Sequence, residues 1–149
     1  ASVQLAPTQG NTAAGTLTVV PMGDGVHLTG NLSGLKPDSE FGVHVHEKGD
    51  CSAPDASSAG AHFNPTNAQH GDPHSDSHHA GDMPNVKSDA DGNAPVNSHV
   101  SGLSLGDGGA NDVIGKAVVM HEKADDYRSQ PSGNSGARIA CGVVTRSEM

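Results

Sequence analysis

Apolar and polar residues alternate with a period of two in a series of short runs, and clusters of glycine, proline, asparagine and aspartate break those runs. No other feature restricts the chain as much, because side chains switch faces at every residue only along a β-strand. Thr16-Leu17-Thr18-Val19 is one such run. Val26, Leu28 and Leu32 share a face of the next, with His27, Thr29 and Asn31 on the other. Asp24-Gly25 between the two runs is a tight-hairpin signal. Segments 40–46, 83–88, 95–100, 113–119 and 139–145 read as further strands, and residues 2–6 bring the number to about eight. No stretch carries an amphipathic helical pattern. The expected fold is all-β: an eight-stranded antiparallel Greek-key β-sandwich or flattened barrel.

Residues 47–82 and 120–138 break the strand rhythm. They are long and polar, and loops of that length in a compact domain usually carry function. The rest of the chain is scaffold. At 149 residues, a single domain covering 1–149 is expected. With no Trp, and with Phe41, Phe63 and Tyr127 as its aromatics, its core must be built from small aliphatic side chains. A formal net charge of -9 argues against nucleic acid or an anionic membrane surface as partner. No apolar run approaches the roughly 18 residues of a membrane span.

Cys51 and Cys141 lie too far apart for a CxxC motif, and spacing alone allows either a disulfide or two buried thiols. If paired, they would restrict the unfolded chain by roughly 4–5 kcal/mol in the chain-entropy model and favour an oxidising compartment. The chain opens at Ala1-Ser2 without a basic-then-apolar leader, as expected of a secreted protein after cleavage.

Ten histidines exceed what packing requires. His44-Val45-His46 closes a predicted strand, and alternation puts both imidazoles on one face, a pairing suited to copper or zinc. His62, His70, His79 and Asp82 follow in the first loop, three imidazoles and a carboxylate of the kind that forms a tetrahedral zinc site. His74 and His78 share that loop and stay open as alternatives. His121 opens the second loop and is one more candidate.

The blocks Gly42-Val43-His44-Val45-His46-Glu47 and Ser58-Ala59-Gly60-Ala61-His62-Phe63-Asn64-Pro65 resemble the copper,zinc superoxide dismutases. So do His70-Gly71, His79-Ala80-Gly81-Asp82, His121-Glu122-Lys123-Ala124-Asp125-Asp126 and Gly136-Ala137-Arg138-Ile139-Ala140-Cys141-Gly142-Val143, in the family's order. The resemblance implies one copper and one zinc ion per subunit. His44, His46, His62 and His121 match the copper ligands, and His62, His70, His79 and Asp82 the zinc ligands, with His62 bridging the two. Asp125 matches the carboxylate that joins His44 to His70, and Arg138 the arginine beside the copper channel. Cys51 and Cys141 match the family disulfide. The implied activity is disproportionation of superoxide to oxygen and hydrogen peroxide, with Arg138 binding the anion and His62 supplying a proton.

Gly81-Asp82-Met83-Pro84-Asn85 and the segment from Asp126 to Asn134 resemble bacterial periplasmic members, which implies a periplasmic or otherwise secreted protein whose signal peptide has been removed. Lys48, Lys123 and Arg128 are candidates for steering substrate by loop membership alone. Scarce aromatic anchors leave both a monomer and a homodimer open. His27 and His99 read as sheet positions, and His74 and His78 as solvated loop residues. The alternative class is a non-catalytic copper/zinc carrier or dismutase-like chaperone domain, expected to have lost a copper ligand or the arginine. Because Arg138 is assigned to the channel, its replacement is expected to leave stability almost unchanged.

Overall fold

The computed structural model describes residues 1–8, 10–23, 25–60, 62–64, 81–83, 85–101, 103–106, 109, 111–126 and 136–145. Its strands are β1 (Ser2–Pro7), β2 (Ala14–Met22), β3 (Gly25–Ser33), β4 (Glu40–Phe41), β5 (Val43–His46), β6 (Val86–Lys87), β7 (Ala94–Ser101), β8 (Ala117–His121) and β9 (Arg138–Thr145). Seven of them form one curled sheet in the order β5-β8-β9-β1-β2-β3-β7, and β4 pairs with β6. Every pairing is antiparallel. Neighbours such as β3 with β7 and β5 with β8 require the long crossings of Greek-key connectivity, as the alternation led one to expect.

Three details differ from the strand reading. The run 40–46 splits at Gly42, whose N–H donates to the carbonyl of Lys123 (2.8 Å) while its own carbonyl accepts from His121 (2.7 Å). The run 83–88 keeps only Val86–Lys87, which pairs with Glu40–Phe41. The run 113–119 begins at Ala117, because Lys116 N–H closes a turn onto the carbonyl of Val113 (3.0 Å). The β2–β3 hairpin is present, with Met22 opposite Gly25; Gly23, at φ 60°, takes a left-handed turn position that glycine accepts without steric cost.

Alternation places Val3, Leu5, Leu17, Val19, Val26, Leu28, Leu32, Val96 and Val100 inside the curl, joined by Val43, Val45, Val118, Met120 and Val144. Fully burying each such aliphatic side chain contributes about 1.5–3 kcal/mol. A second, smaller cluster lies on the other side of the sheet, where Ala56 and Ala59 of the first loop pack on Ala117, Val119 and Cys141. The Cys51–Cys141 disulfide closes beside it, with Cα atoms 5.7 Å apart, so the paired reading of the two cysteines holds. This outer cluster fixes the first loop against β8 and β9, over the face that carries the histidines.

Candidate metal centre

All four residues of β5 are buried, although only one of its faces meets the core. Val43 and Val45 enter the core, and His44 and His46 occupy the opposite face beneath the loops. The backbone of the first loop doubles back along the outer edge of this strand. Phe63 N–H donates to the carbonyl of Val45 (2.7 Å), Val45 N–H to that of Gly81 (2.9 Å), and Gly81 N–H to that of Phe63 (2.9 Å). His62 is thereby set opposite His46, and Asp82 opposite His44. Gly81 is required for this approach, since a Cβ there would fall 2.2 Å from the carbonyl oxygen of Val45. His121 arrives from the end of β8, which pairs with β5 along its other edge.

These elements bring His44, His46, His62 and His121 together, with one ring nitrogen from each lying within 4.8 Å of the others. His44 donates from Nε2 to Asp125 Oδ2 (2.8 Å). His46 and His121 donate from Nδ1 to the carbonyls of Gly60 (2.9 Å) and Gly136 (3.2 Å). A neutral ring keeps its lone pair on the other nitrogen, Nδ1 of His44 and Nε2 of His46 and His121. The latter two atoms are 3.4 Å apart. Burial, opposed by the Asp125 hydrogen bond, lowers the His44 pKa to about 4. Burial and then the neighbouring His62 lower that of His46 to about 2, and burial and then His44 lower that of His121 to about 3. All three are neutral donors at pH 7.

The set fits a transition metal. Imidazole nitrogens bound at about 2.0–2.1 Å to one ion lie some 3–4 Å apart, and the observed spread needs little contraction to reach that. Neutral imidazoles suit copper and zinc in particular. The His62 ring centroid is 4.0 Å from that of His44, while its Nδ1 is 3.1 Å from Asp82 Oδ1. One ring thus faces both the imidazole group and the buried carboxylate.

Arg138 reaches the same face through an irregularity in β9. Met120 pairs with Ala140 and His121 with Arg138, so Ile139 is an extra residue on its strand. The bulge reverses the alternation and turns Arg138 to the side of Cys141 and His121. Its guanidinium donates from Nη1 to the carbonyl of Ala56 (2.7 Å) and from Nη2 to that of Gly60 (2.6 Å). This corrects one expectation: Arg138 fastens the first loop to β9, and its loss must cost stability as well as charge.

Asp125 accepts from His44 Nε2. Its other expected partner, His70, lies outside the described residues, as do His79, His74, His78 and Arg128. Sequence reading missed Asn85, which grips the backbone of Asp125 on both sides: Asn85 Nδ2 donates to the Asp125 carbonyl (3.0 Å), and Asp125 N–H donates to Asn85 Oδ1 (2.8 Å). Its place beside the Gly81-Asp82 block was the one available signal. His27 and His99 are cross-strand neighbours on β3 and β7, sheet positions as the alternation indicated.

Residues 13–144 match the family model described as copper/zinc superoxide dismutase. The chain belongs to that family. Copper and zinc are the family's characteristic metals, and the four-histidine group is a place that could hold one of them. The chain is 44% identical over 122 residues to the superoxide dismutase-like protein YojM of Bacillus subtilis, a match covering 80% of this chain and 61% of that protein's length. It is 40% identical over 147 residues to superoxide dismutase [Cu-Zn] 2 of Aquifex aeolicus, covering 97% and 85%. It is also 40% identical over 140 residues to the extracellular superoxide dismutase [Cu-Zn] of Haemonchus contortus, covering 87% and 72%. The crystal structure of a SOD-like protein from Bacillus subtilis superposes with a TM-score of 0.87 at 40% identity, over 96% of this chain and 97% of that one.

Proposed function

We propose that this protein is a copper,zinc superoxide dismutase that converts superoxide to oxygen and hydrogen peroxide. The observation that carries the reading is the convergence of four buried imidazoles from β5, the first loop and β8. His44, His46, His62 and His121 hold copper; His62, His70, His79 and Asp82 hold zinc and anchor the first loop. Copper supplies the one-electron oxidation of one superoxide and the reduction of the next. Asp125, gripped by Asn85, fixes the ring of His44 by accepting from its Nε2–H. Arg138 keeps guanidinium donors beyond the two given to Ala56 and Gly60, and these bind the anion. With Nδ1 turned to Asp82, His62 would gain a proton from solvent at Nε2 once that nitrogen is free of metal, and would pass it to the peroxide being formed.

The carrier or chaperone alternative is not favoured: each of its expected losses, a copper ligand or the arginine, is absent from this sequence. The disulfide and the extracellular relative support secretion, to the periplasm or beyond the cell, with 1–149 acting as one domain. No helix among the described residues is long and apolar enough to cross a membrane. Crystals of the protein loaded with both metals, measured across the copper and zinc absorption edges, test the ligand assignment. Copper should lie among His44, His46, His62 and His121, and zinc against His62 and Asp82. Copper found elsewhere, or zinc away from Asp82, would refute it.

A further inference from the structure

The tripeptide His-Glu-Lys occurs twice, as His46-Glu47-Lys48 and His121-Glu122-Lys123. Both histidines belong to the four-imidazole group, and each donates from Nδ1 to a glycine carbonyl, Gly60 or Gly136. Both glycines have a positive φ, 73° and 79°. Against each lies the carboxylate of the glutamate that follows the histidine. A Cβ on Gly60 would fall 2.8 Å from Glu47 Oε1, and one on Gly136 would fall 2.6 Å from Glu122 Oε1. Main-chain bonds complete both contacts: Lys48 N–H donates to the carbonyl of Ala59 (3.0 Å), and Glu122 N–H to that of Ala137 (2.9 Å). At the second contact Ala137 N–H also donates to Glu122 Oε1 (3.2 Å).

The repetition has a chemical purpose. A carbonyl that accepts from Nδ1–H sets both the tautomer and the rotation of a ring whose Nε2 must meet a metal. Here each such carbonyl belongs to a loop glycine, a residue with the widest backbone freedom. Arg138 Nη2 also holds the Gly60 carbonyl (2.6 Å), and a carboxylate lying against each glycine narrows what freedom is left to it. Resting on the copper assignment above, we propose that Glu47 and Glu122 are positioning residues, each locking a copper ligand through the glycine that accepts its Nδ1–H. Reach and an acceptor oxygen are what the device needs; negative charge is incidental. Both side chains are exposed, so their replacement spares the core.

The test uses Ala, Gln and Asp replacements at each position in copper- and zinc-loaded protein. Copper affinity is read by chelator competition and ring geometry by the Cu(II) electron paramagnetic resonance spectrum. Glu47→Ala and Glu122→Ala should weaken copper about 10–100-fold and alter the copper hyperfine splitting, with zinc content unchanged. Glu→Gln keeps reach and oxygen and should match wild type; Glu→Asp keeps charge but is too short and should follow Ala. Ala variants with wild-type affinity and spectrum would overturn the proposal, as would Asp variants that behave normally while Gln variants fail. Wild-type protein that binds no copper at the four histidines would instead sink the assignment beneath it. In that event the metal-free protein still decides the clamp by NMR: slow solvent exchange of the His121 Nδ1–H should survive in Glu122→Gln and vanish in Glu122→Ala, and equal exchange in both would overturn it.

Discussion

Arg138 gives two of its guanidinium donors to the carbonyls of Ala56 and Gly60 and keeps the others for an incoming anion. Gly60 accepts from His46 through the same oxygen, so the arginine and a metal-site imidazole are registered to one atom. Arg138→Gln should lower dismutation severalfold with both metals retained, and Arg138→Glu should lower it further. The wild-type rate should fall as salt is raised, because guidance of superoxide is screened over about 8 Å at physiological ionic strength. Either variant should also lose about 1–3 kcal/mol of stability from the charge-assisted bonds to the loop, read by chemical denaturation. A charge-reversed protein with wild-type rate and salt response would show that Arg138 does not meet the substrate. At this scale the sequence was most legible where chemistry is local: alternation put His44 and His46 on one face, and His62 and His121 were candidates by residue type and place in the loops. Asn85 did not, because what matters is its contact with a backbone 40 positions away, which no local pattern encodes.

At the scale of elements, β5 is buried on both faces, and that double burial lets one strand serve core and site together. Alternation made β2, β3 and β7 readable, since each has one face in the core and one in solvent. It could not reveal the bulge at Ile139, which reverses the period and turns Arg138 outward. Nor could it show that the first loop packs a cluster of its own, because Ala56 and Ala59 are small and lie outside any periodic run. The disulfide ties that loop to β9. Cys51→Ser with Cys141→Ser should cost about 2–5 kcal/mol. It should also lower the rate per bound copper, because the carbonyls that hold Arg138 and His46 ride on the loosened loop. Unchanged stability, or a lost rate explained wholly by lost copper, would count against that coupling.

For the whole molecule, stability and metal binding meet in the buried imidazoles. In metal-free protein His44, His46 and His121 stay neutral in the fold, with pKa values of about 4, 2 and 3, against an ordinary 6.5 once unfolded. Below pH 6.5 the unfolded chain therefore binds more protons, and folding stability falls with pH until the folded values are reached. With three groups the slope approaches about 4 kcal/mol per pH unit near pH 5. Metal-free protein should accordingly unfold steeply between about pH 6 and 4, and loading the metals should move that transition to lower pH. A flat thermal midpoint across this range would contradict the burial of neutral rings. With a formal net charge of -9, a reaction between anions calls for local positive charge, which Arg138 supplies on this face. The most direct measurement is superoxide decay after pulse radiolysis, taken with copper and zinc contents on the same samples of wild type and His46→Ala. Decay should accelerate in proportion to bound copper in the wild type, and His46→Ala should abolish catalysis while keeping most of its zinc. Copper-loaded wild type that leaves superoxide decay at its spontaneous rate would contradict the function.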